Sequence, residues 1–185
     1  MQEWFNWQSW KDCVLAIVPR VRISPLPPCL RENIKHINSE TMKVLFICKG
    51  NYFRSQMAEA IYNHLTNSHD AFSVGTYVGA PDEPEGQILS NLFKNNSSFF
   101  DVMDAHGMNL RNNHTKKLSP EMLEKFDVVV SMAEKPFIPE FLKNNKKVIW
   151  WNIENPKIAP EGFFKITYDK LEILIKELIQ NFSAK

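Results

Sequence analysis

The chain has 185 residues, of which 44% are hydrophobic and 23% are charged, as in soluble globular proteins large enough for one sizeable core. Its formal net charge of +1 argues against a large polyanionic partner such as nucleic acid. Three cysteines cannot form a disulfide framework, and this odd number favours a reducing compartment, for which we expect the cytoplasm.

Residues 1–41 differ in pattern from the rest of the chain. Trp4, Trp7 and Trp10 recur at a helical spacing, and the resulting apolar stripe could dock on the domain, on a partner or on a membrane surface. The polar positions between these apolar residues, such as Glu3, Lys11 and Asp12, lack the lysine and arginine richness typical of membrane-surface helices. Its longest apolar run, Val14 to Val18, is too short for a signal core or a membrane span, so we expect no membrane partner.

Prolines at positions 19, 25, 27 and 28 interrupt both helices and central strands. We therefore expect residues 1–41 to be an extension that is disordered or not essential for activity. Residues 42–185 are expected to form the functional domain.

From residue 43 onward, short apolar runs predict strands and apolar residues at helical spacing predict helices. The predicted elements, in chain order, are a strand Val44–Ile47, a helix Ser55–Leu65, a strand Phe72–Val78, a helix Gln87–Phe93, a strand Asp127–Met132, a helix near Pro139, a strand Lys147–Trp151 and a helix Ile166–Ile179. Strands that alternate with helices indicate an α/β fold with a doubly wound, four-stranded parallel sheet and helices on both faces. Ligands bind such sheets outside the carboxyl ends of the strands.

The segment after the first predicted strand has the features of an oxyanion site; it reads Cys48-Lys49-Gly50-Asn51-Tyr52-Phe53-Arg54-Ser55. A loop that enters a helix N-terminus points its backbone N–H groups at one spot, where the helix dipole favours negative charge. The same field stabilises the thiolate of a cysteine at the start of the loop. A buried strand-end cysteine beside a solvated arginine is the alternative interpretation.

Four other loop residues suit this chemistry. Gly50 and Asn51 tolerate the left-handed backbone that a curled loop needs. Arg54 can direct two N–H groups at two oxygens of a tetrahedral oxyanion. Ser55 can either cap the helix or donate its hydroxyl to the sulfur. The loop therefore predicts a cysteine nucleophile that attacks a bound phosphoryl or similar group.

The stretch KVLFICKGNYFRSQMAEA, from Lys43 to Ala60, resembles the phosphate loop of the low-molecular-weight protein tyrosine phosphatase family, which also contains thioredoxin-linked arsenate reductases. Gln56–Glu59 resembles the arsenate-reductase branch. Weaker similarity continues toward the end of the chain, at Ser73–Thr76, His106–Met108 and Asp127–Met132. The resemblance implies a flavodoxin-like fold, a reaction without cofactor or metal ion, and a phosphorylated protein or a small-molecule phosphate or arsenate as substrate.

The resemblance also implies roles for individual loop residues. Cys48 would be the nucleophile and Arg54 the clamp on the oxyanion. Ser55 would steady the thiolate, and Asn51 would brace the loop. The residues that would surround the bound phosphate are Lys49, Gly50, Asn51, Tyr52, Phe53, Arg54 and Ser55.

One departure from the family pattern concerns the general acid. Family members place an Asp-Pro pair on a late loop, and its aspartate protonates the leaving oxygen; the matching pair here is Asn155-Pro156. An amide cannot donate a proton as a carboxylic acid does, and loss of a general acid costs about 10²–10⁴ in rate. We therefore expect weak turnover of esters with poor leaving groups, with Glu154 and Glu161 as candidate replacement acids.

Other departures bear on the substrate. Phe53 stands where these phosphatases carry a second loop cysteine, and Lys157 and Ile158 stand where aromatic residues line the phosphotyrosine cleft. No cysteine follows Cys48 to relay oxidation, so arsenate reduction would need an external thiol such as glutathione. Three hypotheses follow: a phosphatase acting on phosphotyrosine or small phosphate esters, an arsenate reductase using an external thiol, and a non-catalytic phosphate-binding module.

Overall fold

A computed structural model describes residues 42–94, 98–155 and 160–183. The expectations for residues 1–41, Pro156, Lys157 and Ile158 lie outside these ranges. The described elements, in chain order, are β1 (Val44–Cys48), α1 (Arg54–Thr66), β2 (Ala71–Gly75), α2 (Leu89–Leu92), α3 (Ser98–Ala105), a 3₁₀-helix (Pro120–Lys125), β3 (Val128–Ser131), α4 (Glu140–Lys143), β4 (Val148–Trp150) and α5 (Phe163–Ser183).

The strands form one parallel sheet in the order β2-β1-β3-β4. The chain runs from β1 to β2 on one side and returns to β3 on the other side, so a crevice opens at the carboxyl ends of β1 and β3. All five residues of β1 are buried, because a parallel strand covered on both faces needs a continuous apolar run. The predicted doubly wound parallel sheet is confirmed.

Helices pack on both faces of this sheet. Phe46 of β1 belongs to an apolar cluster with buried residues of α1, α3 and α5. Its neighbours Leu45 and Ile47 belong to a second cluster, with Leu123 of the 3₁₀-helix and Leu142 of α4. Successive side chains of a strand point to opposite faces, so β1 anchors both layers and its carboxyl end is held rigidly.

β2 ends at Gly75, three residues before the predicted Val78. The next two backbone N–H groups donate to the carbonyl oxygens of Cys48 and Lys49, so the chain leaves the ladder with β1 and follows the loop after it. A Cβ at Gly75 would lie 2.7 Å from the carbonyl oxygen of Lys49. This close approach of two backbones requires glycine.

Other boundaries also differ from the prediction. α2 spans only Leu89–Leu92, because Ile88 pairs with His114 in an isolated bridge and does not join the helix. α5 begins at Phe163 and ends at Ser183, beyond both predicted ends. α3 and the 3₁₀-helix were not predicted. Within α3, the buried residues Phe99, Phe100 and Met103 have the spacing of a helical face, which is a usable signal.

Candidate active site

The loop between β1 and α1 curls around the sulfur of Cys48, a residue only 3% exposed. The backbone N–H of Asn51 donates to Sγ over 3.2 Å, and Ser55 Oγ lies 3.0 Å from Sγ. Asn51 has a φ of 49°, a left-handed conformation that asparagine adopts more readily than most residues. This turn directs its N–H back to the sulfur.

Gly50 is required for a different reason from the predicted one. Gly50 has no positive φ, so the expectation of a left-handed backbone is wrong for it and holds only for Asn51. A Cβ at Gly50 would lie 2.2 Å from the ring of Tyr52 and 2.9 Å from Oε2 of Glu83. Glycine is therefore needed here for space.

The side chain of Asn51 holds the loop in shape. Its Nδ2 donates to Ser55 Oγ and to Ser73 Oγ, both over 2.9 Å, and its Oδ1 accepts from the backbone N–H of Lys116 over 2.7 Å. Asn51, Ser55 and Ser73 are fully buried. A buried polar network whose members are all hydrogen-bonded is rigid, so these bonds hold the loop in its curled shape.

Ser55 does not cap α1. The N-cap position belongs to Phe53, which makes no side-chain capping bond, so the capping alternative is wrong. Because Ser55 Oγ already accepts from Asn51 Nδ2, its own hydrogen is available to Cys48 Sγ, 3.0 Å away. A hydroxyl donor and a backbone N–H both stabilise negative charge on the sulfur.

Arg54 is 2% exposed, and its charge is matched by acceptors. Nη1 donates to the carbonyl oxygens of Met132 over 2.7 Å and Ile153 over 3.1 Å. Nη2 donates to both carboxylate oxygens of Glu134, over 3.2 and 2.9 Å. Such partners are what a buried guanidinium requires. Arg54 is thus fixed by the segments that follow β3 and β4.

Asn155, which the resemblance places where the family carries its acid, is exposed and donates from Nδ2 to Glu134 Oε1 over 2.7 Å. Glu134 is therefore bonded to both Arg54 and Asn155. No role for Glu134 was predicted from the sequence, although its place at the carboxyl end of a predicted strand was an available signal. A cavity of about 290 Å³ adjoins this cluster and is lined by Arg54, Met132, Ala133, Glu134, Trp151, Asn152, Ile153, Glu154 and Asn155.

Of the two candidate replacement acids, Glu154 lines that cavity, while Glu161 is exposed at the start of the segment before α5. Neither provides a hydrogen bond to Arg54 or Cys48 among the described residues. The carboxylate that does reach the guanidinium is Glu134.

Lys49 directs its ammonium group to the rim of the loop. Nζ lies 2.6 Å from Glu83 Oε1 and 4.8 and 4.5 Å from the ring centres of Tyr77 and Phe137. Burial lowers the pKa of Lys49, but the hydrogen bond and charge of Glu83 outweigh burial and leave the pKa above its ordinary value. The group is therefore charged, with Glu83 as its partner.

The two aromatic residues of the loop serve packing. Phe53 is 5% exposed and contacts Phe99, Phe163 and Phe164, so only its backbone N–H can meet an oxyanion. Tyr52 is half-buried, and burial, with the charge of Glu83 adding to it, raises the pKa of its hydroxyl. That hydroxyl stays neutral near pH 7.

Three cations around the loop are each paired with a carboxylate. The pairs are Lys49 with Glu83, Arg54 with Glu134 and Lys116 with Glu59. Because each of these cations has a carboxylate partner, the backbone N–H groups and the α1 N-terminus are a further source of positive potential at the loop. Within the described residues, no group of three or more His, Cys, Asp or Glu side chains could hold a metal ion.

Nor does the described part of the chain contain a helix long and apolar enough to cross a membrane.

Comparison with known proteins gives consistent matches. Residues 43–185 match the family model described as low molecular weight phosphotyrosine protein phosphatase. A low molecular weight phosphotyrosine protein phosphatase of Saccharomyces cerevisiae is 28% identical, over 68% of this chain and 66% of the yeast protein. The chain thus spans about two thirds of that relative.

Two solved structures share the fold. A low molecular weight protein tyrosine phosphatase from T. tengcongensis has a TM-score of 0.60 and 26% identity, over 76% of this chain and 99% of that chain. A thioredoxin-dependent arsenate reductase from Corynebacterium glutamicum has a TM-score of 0.54 and 20% identity, over 80% of this chain and 65% of that chain. The second likeness is evidence for the fold alone.

Proposed function

We propose that this chain, which belongs to the low-molecular-weight phosphotyrosine protein phosphatase family, hydrolyses phosphate monoesters with Cys48 as its nucleophile. The observation that carries the proposal is the sulfur held between the Asn51 N–H and the Ser55 hydroxyl at the mouth of the loop. The substrate class is phosphotyrosine or a small phosphate ester.

The reaction has two displacements at phosphorus. Cys48 Sγ attacks in line, the S–P bond forms, and the P–O bond to the leaving group breaks. Loop N–H groups and Arg54 stabilise the equatorial oxygens of the phosphoryl group. Water then attacks the cysteinyl-phosphate, the S–P bond breaks, and inorganic phosphate leaves while the thiolate is restored.

Asn155 limits the first displacement. Its Nδ2 is bonded to Glu134 and an amide has no acidic proton to give, so the leaving oxygen must be protonated by solvent. The loss of a general acid costs about 10²–10⁴ in rate. Esters of weakly acidic alcohols are therefore poor substrates, whereas p-nitrophenyl phosphate, with a good leaving group, is turned over.

The test compares p-nitrophenyl phosphate and phenyl phosphate hydrolysis by the wild type and by Cys48→Ser. Turnover of the first ester that disappears in Cys48→Ser supports the proposal. If wild type and Asn155→Asp both bind phosphate without hydrolysing either ester, the protein is a phosphate-binding module and the phosphatase proposal is wrong.

Arsenate reduction with an external thiol is the second candidate, favoured by the Gln56–Glu59 motif and by Gln56 itself, which is fully buried and bonds to Asn51 and His114. Cys48 would displace a hydroxyl from arsenic. An external thiol would then attack the sulfur, leaving arsenite with the electron pair and a mixed disulfide that a second thiol reduces. Glutathione-dependent arsenite release, inhibited by phosphate, would establish this activity.

We further propose that residues 42–185 are the catalytic domain and that the protein acts in the cytoplasm, where a nucleophilic thiol stays reduced. The family model covers nearly the same residues, 43–185. A chain that begins at residue 42 should keep the kcat/KM of the full chain for p-nitrophenyl phosphate. A large loss in this shortened chain would assign the first 41 residues a role in activity.

A further inference from the structure

We propose that Glu134 is a positioning residue, whose carboxylate orients Arg54 so that the free donors of the guanidinium meet the substrate oxyanion. Asn155, in turn, fixes the carboxylate. The kinetic part of this inference rests on the proposed phosphatase function, whereas its binding part does not.

The N–H donors of the Arg54 guanidinium are only partly used by the protein. A guanidinium has five N–H groups. Both N–H groups of Nη1 are used by the carbonyl oxygens of Met132 and Ile153. The two contacts of Nη2 reach the two oxygens of one carboxylate, and a single N–H directed between those oxygens would account for both. In the proposed arrangement the Nε–H and the second Nη2–H then remain, side by side on one edge.

The acceptors of the Arg54 guanidinium lie together on one side of it. All three acceptors come from the segments after β3 and β4, at Met132, Glu134 and Ile153. In the proposed arrangement, the edge away from these acceptors faces the loop in which Arg54 itself stands. Two parallel N–H groups on that edge match the spacing of two phosphate oxygens. Among the described residues, none accepts a hydrogen bond from Nε.

Glu134 holds Arg54 in a different way from the two carbonyl groups. The two carbonyl groups hold Nη1 only, which leaves the guanidinium able to tilt about that nitrogen. Glu134 holds a second nitrogen and so fixes the plane of the group. Its side chain is 38% exposed, so solvent screens the ion pair and its contribution to stability is modest. We therefore expect its removal to affect oxyanion binding more than folding.

Asn155 completes the arrangement. Its Nδ2 donates to Glu134 Oε1 over 2.7 Å, which fixes the carboxylate from the solvent side. An ionised aspartate at this position would place two negative carboxylates in contact, which is unfavourable unless they share a proton. The amide of Asn155 thus fixes the Glu134 carboxylate, a role that an ionised aspartate could not take.

The test uses the full chain with Glu134→Ala, Glu134→Gln, Asn155→Ala and, as a matched control, Glu154→Gln. Inorganic phosphate binding is measured by calorimetric titration, and kcat and KM are measured with p-nitrophenyl phosphate. Glu134→Ala should weaken phosphate binding and lower kcat/KM, each by roughly 10–100-fold, because misplacement of a catalytic group by about 1 Å has effects of this size. Glu134→Gln keeps an acceptor for Nη2 and should stay within a few-fold of the wild type.

Asn155→Ala should weaken phosphate binding a few-fold, and Glu154→Gln should leave it unchanged. Phosphate affinity in Glu134→Ala that equals or exceeds the wild-type value would overturn the inference, since a carboxylate that merely competes with the oxyanion raises affinity when removed. A loss in Glu134→Gln as large as in Glu134→Ala would also overturn it, because charge and not position would then matter.

Two results distinguish a failure of this inference from a failure of the proposed function. If the wild type binds phosphate but hydrolyses no ester, the phosphatase proposal fails while the titrations still decide the role of Glu134. If Glu134→Ala does not fold, as judged by circular dichroism, Asn155→Ala decides the matter, because its side chain is exposed and unchanged phosphate affinity in that variant contradicts the proposed arrangement.

Discussion

The site has two halves that are held in different ways. On the side of Cys48, the proposed nucleophile side, Asn51, Ser55 and Ser73 are fully buried, and Asn51 is bonded to both serines. On the side of Arg54, the proposed leaving-group side, Glu134 and Asn155 are exposed or partly exposed, and they reach the site by side chains alone. The first half is part of the core, so it cannot change without cost to the fold. The second half can change its chemistry while the fold persists.

This difference gives a physical reason why a chain could keep the family loop and still depart at the acid, as we propose for Asn155. A buried network loses about 1–3 kcal/mol for each donor or acceptor left without a partner. An exposed side chain outside such a network changes stability by only about 0.5 kcal/mol when substituted. Substitution at position 155 therefore affects function more than it affects stability.

The sharpest test of the nucleophile side is Cys48→Ser. We expect p-nitrophenyl phosphate turnover to fall by at least about 10³-fold, because an unactivated hydroxyl is a poor replacement for a nucleophilic thiolate. Phosphate binding, measured by calorimetry, should persist since the backbone N–H groups remain. Turnover close to the wild-type level would show that the sulfur is not the nucleophile.

The leaving-group side is tested by Asn155→Asp. With phenyl phosphate we expect kcat to rise, up to about 10²-fold, because an aspartic acid beside Glu134 shares a proton with it and can donate that proton to the leaving oxygen. With p-nitrophenyl phosphate the rise should be small. Equal effects on both esters would contradict an acid role at this position.

Asn51→Ala tests whether the buried half of the site also stabilises the fold. The variant removes one hydrogen bond each from Ser55 and Ser73, leaves the Lys116 N–H without its acceptor and strains the left-handed backbone, so the free energy of unfolding should fall by about 3 kcal/mol. Urea denaturation measures this change. The exposed Asn152→Ala is the control, and a loss of the same size there would contradict the distinction.

The smallest effect is expected at the two glutamates that the sequence offered as replacement acids. Glu154→Gln and Glu161→Gln should each leave kcat for phenyl phosphate within about twofold of the wild type, since both are exposed and surface substitutions without fixed partners have small effects. A loss of ten-fold or more in either variant would identify it as the acid.

The sequence predicted much of the nucleophile half because its signals are local. A buried strand, a short turn of residues 49–53 and a helix follow one another between Val44 and Thr66, so the pattern of apolar residues and the Cys48 to Arg54 spacing could be read together. The left-handed Asn51 was also predicted correctly from its residue type. Gly50 was assigned the wrong reason, since its need for space comes from the way the Tyr52 ring, and beyond it Glu83, pack against this position.

Only the tertiary structure decided the other half. Glu134 meets Arg54 across 80 positions of sequence, and Lys49 meets Glu83 across 34. These pairings exist because parallel strands bring loops distant in sequence to one edge of the sheet. Local composition and spacing carry no record of which loops become neighbours there. The sequence thus determined the loop and the proposed nucleophile within it, and the packing of β3 and β4 beside β1 decided how the arginine is held.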